Sequence, residues 1–190
     1  MFPSLYSYLL GYKEPLSRRN KEETGVRYEW YALQRWASDY YPEFDKEKVV
    51  WKALSTEPAF CLLPEGYYIN DKANMLTTNN TDVDIRYLCG VMNSKVFQFY
   101  FSTIGINMGH GYEYKIQYVE KVPIPLVDSA NKHIADQIIA LVDEIILRKQ
   151  NSGCASSDDK DTADLERQIN LLVYKLYDLN EREIEIVEEQ

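Results

Sequence analysis

The fold is decided by one apolar stretch, Tyr87-Leu88-Cys89-Gly90-Val91-Met92-Asn93-Ser94-Lys95-Val96-Phe97-Gln98-Phe99-Tyr100-Phe101. Its apolar residues recur at three- and four-residue spacing, which predicts a helix with a buried face. Thr81 or Asp82, just before the stretch, is the predicted N-cap. Gly90 lowers the helix propensity by about 1 kcal/mol, so we hypothesise that it permits close packing against another element.

A glycine-rich loop follows the helix, Gly105-Ile106-Asn107-Met108-Gly109-His110-Gly111. Three interpretations of it are open. A phosphate-binding loop needs a strand before it and a helix after it, the reverse of the order here, and no Gly-Lys-Ser/Thr follows. The other two are a hairpin connection and a loop whose backbone approaches a ligand closely. Residues 112–118 alternate between aromatic or aliphatic and polar, which predicts a strand with one wetted face before Pro123 and Pro125.

Four short segments upstream of the helix predict strands of a small antiparallel or mixed sheet. They are residues 48–54, 59–63, 67–69 and 75–78, separated by turn residues. Residues 2–12 have the apolar spacing of a short helix that ends at Gly11. Residues 28–36 are rich in aromatic side chains and fit a helix as well as a strand, so both remain open.

Two amphipathic helices are predicted after the two prolines. Asp128 or Ser129 caps the first, whose apolar face comprises Ile134, Ile138, Leu141, Val142 and Ile145. A polar linker at residues 150–159 leads to the second, whose coiled-coil seam comprises Leu165, Ile169, Leu172, Leu176 and Leu179. Asn180 and Glu181 then cap a last helical turn. Two such seams joined by a polar loop predict an antiparallel helical hairpin.

The predicted fold class is therefore α+β. We expect a small mixed or antiparallel sheet with a buried helix, followed by a C-terminal antiparallel helical hairpin. Residues 1–127 would form the α+β domain and residues 128–190 the helical hairpin. The chain of 190 residues, 45% of them apolar, is large enough to bury such a core.

The negative charge of the chain is unevenly distributed. The net charge of −9 is unusual for a protein that binds nucleic acid. Residues 1–121 carry 14 Lys and Arg against 15 Asp and Glu, whereas residues 122–190 carry 7 against 15. The N-terminal part is therefore almost neutral and is able to carry a basic face, while the acidic helices would point away from a polyanion.

Cysteine usage and hydropathy indicate a reducing compartment. Cys61, Cys89 and Cys154 are far apart, and the absence of a Cys-x-x-Cys or Cys/His cluster argues against a disulfide framework and a zinc site. No apolar run reaches the roughly 18 residues of a membrane span. The first residues lack the basic and apolar regions of a signal peptide, so we expect a cytoplasmic protein.

The sequence shows little catalytic chemistry, and we predict no catalytic or metal-binding residues. Neither a supported Ser/His/Asp arrangement nor a Gly-x-Ser-x-Gly motif occurs in it. Glu113-x-Lys115 has the spacing of half a nuclease metal site, which would need another carboxylate such as Asp71. A metal-dependent nuclease domain is therefore one alternative, and a coiled-coil protein-interaction module formed by the helical hairpin is another.

The stretch from Tyr87 to Lys95 resembles the helix Tyr-Leu-x-Gly-x-Leu-Asn-Ser-Lys in the C-terminal specificity domain of TaqI-like and other type IIG restriction–modification enzymes. The same helix recurs in type I specificity subunits. Other stretches similar to that family follow in the same order, namely residues 48–51, 58–60, 109–114 (Gly-x-Gly-Tyr-x-Tyr), 118–125 and 172–179. The last of these usually ends in Leu-Tyr-Gly-Leu, and here Asp178 replaces the glycine.

The resemblance covers about residues 25–190 and implies a target-recognition domain. Such a domain binds double-stranded DNA opposite a methyltransferase domain, and often a nuclease domain, of the same or a partner polypeptide. Those catalytic parts use S-adenosylmethionine and Mg²⁺. This sequence has neither an Asn-Pro-Pro-Tyr/Phe motif nor a glycine-rich cofactor loop, so the resemblance implies a non-catalytic chain without a cofactor of its own.

The candidate DNA contacts lie on the predicted loops around the sheet. Arg, Lys, Asn and Gln side chains read base edges, while other cations hold phosphates. The densest basic segment, residues 18–27, is either a solvated loop or a set of DNA contacts. The candidates are Arg18, Arg19, Lys21, Arg27, Arg35, Lys52, Thr78, Asn79, Asn80, Asn107, His110, Tyr112 and Lys115, with Lys95 and Lys121 as further phosphate contacts.

Overall fold

The computed structural model describes residues 2–18, 29–32, 39–79, 83–151 and 162–189. Its elements are helices and short antiparallel strands, which confirms the predicted α+β class. The chain divides into two compact units between Pro42 and Glu43. The predicted division into residues 1–127 and 128–190 stays a prediction.

The first unit contains two short helices, α1 (Pro3–Leu10) and α2 (Lys13–Ser17). As predicted, α1 ends at Gly11. Aromatic rings contact one another in this unit, because the Tyr6 ring centroid lies 5.8 Å from Trp30 and 5.6 Å from Tyr31. The undecided segment at 28–36 is described at residues 29–32, which form a turn.

The second unit contains the sheets and the long helices. A 3-10 helix spans Tyr41–Asp45. The elements after it are β1 (Lys48–Lys52), β2 (Leu54–Ser55), β3 (Phe60–Leu63), β4 (Ala73–Leu76), α3 (Ile85–Met92), α4 (Lys95–Ile104), β5 (Ile106–Asn107), β6 (Tyr112–Glu113), α5 (Ile116–Val119), α6 (Lys132–Asn151), α7 (Ala163–Leu176) and α8 (Glu181–Glu188).

The first sheet, sheet A, has the strand order β3-β1-β4 with antiparallel neighbours. Val49 and Trp51 of β1 are buried in the core, because alternate residues of a strand face the same side. Strands are thus confirmed in three of the four predicted segments. The strand at residues 67–69 is wrong: this segment joins no sheet of the described structure, and the Tyr68 ring stacks on Phe44 at 4.8 Å.

The second sheet, sheet B, has the order β2-β6-β5. The predicted strand at residues 48–54 breaks at Ala53, so that β1 joins sheet A and β2 joins sheet B. The predicted strand at residues 112–118 is wrong beyond Glu113, since α5 follows instead. One apolar segment therefore links the two sheets.

Tyr114 fixes sheet B against the core. Its backbone N–H donates to Ala53 O at 2.8 Å, and its carbonyl accepts from Trp51 Nε1, also at 2.8 Å. Its ring stacks on Phe101 with the centroids 4.3 Å apart. These contacts hold Tyr114 in the core, and the chain leaves the strand path after β6 although residues 112–118 alternate.

Asn93 and Ser94 divide the predicted helix into α3 and α4. Asn93 Nδ2 donates to Phe60 O at 2.8 Å, and Asn93 Oδ1 accepts from Phe60 N at 3.0 Å, as the backbone of a neighbouring strand would. The Ser94 hydroxyl caps α4 by accepting from the Phe97 N–H at 3.3 Å. The helix breaks here because both polar side chains find backbone partners.

The start of α3 is capped by Asp84, whose carboxylate accepts from the Arg86 N–H at 2.8 Å. The predicted caps, Thr81 and Asp82, lie outside the described residues. Arg86 Nε also donates to Asp143 on α6 at 2.8 Å, which ties the two helices together. The Arg86 guanidinium loses hydration by partial burial, yet the neighbouring carboxylates leave its pKa raised.

The helix α3 is buried on two sides. Its residues Ile85, Cys89 and Met92 face the core of sheet A, and Tyr87 and Val91 face the core of the helices. Gly90 lies at the helical contact, where a Cβ would be 2.6 Å from Ile138 Cγ2 and 3.1 Å from Val142 Cγ2. The hypothesis that Gly90 permits close packing is therefore confirmed.

The helices α6 and α7 form the predicted antiparallel hairpin. Arg148 in the last turn of α6 pairs with Asp164 in the first turn of α7 at 3.1 Å, so the two helices run in opposite directions. Before α6, the predicted cap Asp128 accepts from the Ala130 N–H at 2.8 Å. Of the predicted linker at 150–159, the part from residue 152 lies outside the described residues.

The buried face of α7 differs from the predicted seam. Leu165 and Ile169 are buried as predicted, and Leu172, Leu176 and Leu179 are half-buried against the same core. Val173 and Tyr174, which were not predicted, are buried as well. The face is wider than a two-helix seam because α7 packs against α3 and α4 as well as α6.

The end of α7 is a Schellman motif centred on Asp178. Asp178 has a φ of 53°, and the Leu179 N–H donates to Tyr174 O at 3.0 Å. Glycine adopts this left-handed conformation without strain, which fits the glycine of similar sequences at this place. As predicted, Asn180 caps α8, here in a capping box with Glu183.

Replacing Gly90 by alanine tests the contact between α3 and α6. We expect Gly90→Ala to lower the free energy of unfolding by about 1–3 kcal/mol, because the fully buried Ile138 cannot move away from the new Cβ. Without that contact the same change would favour the helix by about 1 kcal/mol. Urea denaturation measures the sign. Gly11→Ala, whose Cβ would lie 3.5 Å from Tyr8 O, is the matched control and should cause no loss. A Gly90→Ala variant more stable than the wild type would contradict the prediction.

Replacing Asp178 tests the end of α7. We expect Asp178→Gly to raise the free energy of unfolding by about 1 kcal/mol, because an L-residue is strained at a φ of 53°. Asp178→Ala should lower it, since alanine tolerates the left-handed region less well than aspartate. Urea denaturation of the three proteins should give the order Gly, Asp, Ala, and a glycine variant weaker than the wild type would refute the strain argument.

Candidate nucleic-acid interface

The glycine-rich loop forms a β-hairpin. β5 pairs with β6 in the register Ile106 to Glu113 and Asn107 to Tyr112. Across the loop, the Met108 N–H donates to Gly111 O at 2.8 Å. The hairpin interpretation of this loop is therefore confirmed.

The hairpin tip, residues 107–111, has a shape fixed by local contacts. Asn107 Oδ1 accepts from the Gly109 N–H at 2.7 Å in an Asx turn. Gly111 has a φ of 138° and packs so closely on β2 that a Cβ would lie 2.4 Å from Ser55 O. Asn107 and His110 are exposed, so both side chains extend from a fixed backbone towards solvent.

The backbone positions of three lysines lie close together where sheets A and B join. The Ala53 N–H donates to Lys72 O at 3.3 Å, and Ala53 O accepts from the Tyr114 N–H. Lys52 precedes Ala53 and Lys115 follows Tyr114, so backbone hydrogen bonds bring all three lysines near one point. We call Lys52, Lys72 and Lys115 the junction lysines, and all three are exposed.

The junction lysines differ in their ion pairs. Lys115 Nζ lies 3.0 Å from Glu113 Oε2, and Lys72 Nζ lies 3.6 Å from Asp71 Oδ2. Lys52 has neither an ion pair nor a hydrogen bond of its side chain within the described part of the chain. Exposed pairs of this kind are weak because water screens them, so all three ammonium groups are accessible to an anion.

Lys72 is missing from the sequence-based candidates. It lies in the turn before β4, and in the sequence it is one of many polar turn residues. The antiparallel register, in which Ala73 lies opposite Lys52, brings it to the end of β1. A sequence alone does not reveal that register.

Thr78 and Asn79 lie at the opposite end of sheet A. Asn79 Oδ1 accepts from Lys46 Nζ at 2.7 Å, and Lys46 also pairs with Glu43 at 2.8 Å. The hydrogen bonds of Lys46 and of the Thr77 hydroxyl hold the pKa of Glu43 below its ordinary value. Lys46 lies at the Asn79 end of sheet A and Ala53 at the junction with sheet B. They are seven residues apart along the extended chain that contains β1, which places these two ends of sheet A roughly 20 Å apart.

The remaining lysine candidates are held by other parts of the unit. Lys95 Nζ pairs with the Glu188 carboxylate, which also accepts from the Tyr174 hydroxyl, so that Lys95 joins α4 to α8. These bonds lower the pKa of Glu188. Lys121 Nζ lies 5.5 Å from the centroid of the Tyr118 ring, in a cation–π contact beside α5.

Other candidates lie in the first unit, in the core or outside the described residues. Arg18 in the first unit pairs with Glu14. Tyr112 is half-buried, with its ring 6.2 Å from that of Phe101, so it supports sheet B. Arg19, Lys21, Arg27, Arg35 and Asn80 lie outside the described residues.

The described residues contain neither a metal-binding cluster nor a helix that could span a membrane. Across residues 2–18, 29–32, 39–79, 83–151 and 162–189, His, Cys, Asp and Glu side chains form no group of three able to hold a metal ion. Glu113 and Lys115, on which the nuclease alternative rests, form an ion pair with each other. Within the same ranges, no helix has the length and apolar character needed to cross a bilayer.

Comparison with known proteins identifies a family and a relative. The TaqI-like C-terminal specificity domain matches residues 6–124. The type II methyltransferase M.MjaIV of Methanocaldococcus jannaschii is 24% identical over 189 residues. That alignment covers 95% of this chain and 57% of the methyltransferase, so the chain spans somewhat more than half the length of this relative.

The match at residues 6–124 contains the α3 and α4 helices, both sheets and the hairpin tip. It extends over more than half of the 190 residues. The chain therefore belongs to the family of TaqI-like C-terminal specificity domains.

Proposed function

We propose that this chain recognises double-stranded DNA sequence-specifically and thereby directs the methyltransferase of a bacterial-type restriction–modification system. The observation that carries the proposal is the family match, because a specificity domain selects the target of an enzyme. The similarity to a type II methyltransferase over 95% of this chain supports the same conclusion.

The catalytic step belongs to another part of the enzyme. The relative is longer than the region it shares with this chain, because the alignment covers only 57% of the relative's length. We expect S-adenosylmethionine and Mg²⁺ to act in methyltransferase and nuclease domains of the same or a partner polypeptide, as in a type IIG enzyme. These 190 residues would then supply recognition without catalysis.

The chemistry of the second unit supports DNA recognition. Base reading requires amide, imidazole or cationic donors on a surface that fits a groove. The hairpin tip carries Asn107 and His110 on a fixed backbone, with the junction lysines nearby. The amide of Asn107 and the ring of His110 provide base-edge contacts, which are sequence-specific, and the ammonium groups provide phosphate contacts, which are not.

The two alternative functions have less support. A coiled-coil module needs an available apolar seam, whereas Ile169 and Val173 of α7 are buried within the core of their own unit. A metal-dependent nuclease needs carboxylates that share a metal, and among the described residues Glu113 belongs to no group of three His, Cys, Asp or Glu side chains able to hold an ion.

Selection from a randomised duplex library tests the proposal. We expect the purified chain to retain duplexes at low salt and, after repeated selection and sequencing, to enrich a defined sequence. Affinity for the enriched duplex should fall linearly with log salt concentration, because phosphate contacts release counterions. Calorimetric titration of the chain with S-adenosylmethionine should show no binding. A chain that retains no duplex, or one that binds S-adenosylmethionine, would refute the proposal.

A further inference from the structure

The two ends of sheet A differ in how many polar groups are already satisfied. At the Asn79 end, Lys46 bonds both Glu43 and Asn79, and the Thr77 hydroxyl bonds Glu43. A DNA strand there would have to replace existing internal hydrogen bonds. The net gain in binding free energy would be small, because each hydrogen bond to DNA would replace an internal hydrogen bond.

The hairpin end has polar groups without internal partners. In the described structure, Lys52 Nζ, the His110 ring and the Asn107 amide nitrogen make no hydrogen bond or ion pair. The other two junction lysines are engaged only in exposed pairs with Asp71 and Glu113. These groups are able to contact a ligand without breaking internal structure.

The shape of the hairpin end fits a DNA groove. The major groove of B-DNA accepts a two-stranded β-ribbon, and β5 with β6 forms such a ribbon at the edge of sheet B. Its tip is held by the Asn107–Gly109 bond and by the packing of Gly111 on Ser55. An asparagine amide on a fixed backbone is suited to the paired donor and acceptor of adenine.

The charges of the unit favour the same end. Lysine is a flexible point charge that suits phosphate, and the junction lysines lie on both sides of the point where the sheets join. Two carboxylates near them, Asp71 and Glu113, are each paired with a junction lysine. A third, Glu57, lies near Tyr114 and has no ion pair within the described residues. The helices α6 and α7 are each neutral, with three acidic residues against three basic ones and two against two, so they add no net repulsion of a duplex.

Resting on the proposed function, we infer that the duplex binds at the hairpin end of the second unit. The junction lysines Lys52, Lys72 and Lys115 contact phosphates at the base of the hairpin, beyond the paired residues Leu54 and Glu113. Asn107 and His110 contact base edges. Asn79, at the other end of sheet A, belongs to an internal network. Neither Asn79 nor the adjacent Thr78 makes a base contact.

Charge-matched variants test the phosphate contacts. The triple variant Lys52→Gln, Lys72→Gln, Lys115→Gln removes the junction lysines. The control triple Lys132→Gln, Lys149→Gln, Lys175→Gln removes the same charge from exposed positions on α6 and α7. Lys132 is paired with Asp136 at 2.9 Å, as Lys115 is with Glu113, so the two sets resemble each other in ion pairing too. Fluorescence anisotropy with a labelled randomised duplex, measured against salt concentration, gives affinity and salt slope.

The junction triple should bind more weakly and lose about 2.7 from the magnitude of the salt slope, since each phosphate contact contributes about 0.9. The control triple should keep the wild-type slope. Far-UV circular dichroism and melting curves establish that both triples are folded. Equal slopes for the two triples, with the wild type binding normally, would overturn the inference alone. A wild-type chain that does not bind the duplex would overturn both the inference and the proposed function.

Two single variants test the base contacts. His110→Ala removes no hydrogen bond that holds the tip. Selected on the randomised library, it should relax one position of the enriched sequence and leave the salt slope unchanged. Asn79→Ala should enrich the wild-type sequence. An unchanged sequence for His110→Ala, or a position relaxed by Asn79→Ala, would overturn the assignment of the hairpin end.

Discussion

The close contact between α3 and α6 is the constraint on which the second unit depends. Gly90 lets Ile138 and Val142 approach the α3 backbone to a distance at which no side chain fits. The opposite face of α3 packs on sheet A through Ile85, Cys89 and Met92. One short helix therefore contributes to two cores. Without α3, the apolar face of sheet A and the apolar face of the helical hairpin would both lose the surface that covers them.

The position of the hairpin tip follows from α3 through a chain of contacts. Asn93, at the end of α3, pairs with the backbone of Phe60 in β3 and turns the chain into α4. Phe101 of α4 then stacks on Tyr114, which holds sheet B through Ala53. A binding constellation has to be held to within about 0.5 Å of its productive geometry. Packed aromatic rings and backbone hydrogen bonds provide such support for Asn107 and His110.

Residue type alone predicted some of the candidate DNA contacts, but not which of them lie together in the fold. Lys52, Asn107, His110 and Lys115 were expected as DNA contacts because of their chemistry, and the fold gathers them at one end of the second unit. Thr78 and Asn79 have equally suitable chemistry but lie at the other end of sheet A, where Asn79 is part of an internal network. Lys72 reaches the hairpin end through the pairing of β4 with β1, which no local pattern contains.

The sequence by itself determined α1, α6, α7 and α8 and the cap at Asn180, because helical periodicity and capping depend on neighbours within about one turn. The apolar face of α6 and the cap at Asn180 follow from local pattern. The glycine in α3 indicated a close contact, but its partners Ile138 and Val142 come from the tertiary structure. Only the tertiary structure decided the break at Asn93, the separation of β1 from β2 at Ala53 and the wider buried face of α7. Each of these depends on a partner distant in sequence, and hydrophobic pattern reports that a residue is buried without specifying what it is buried against.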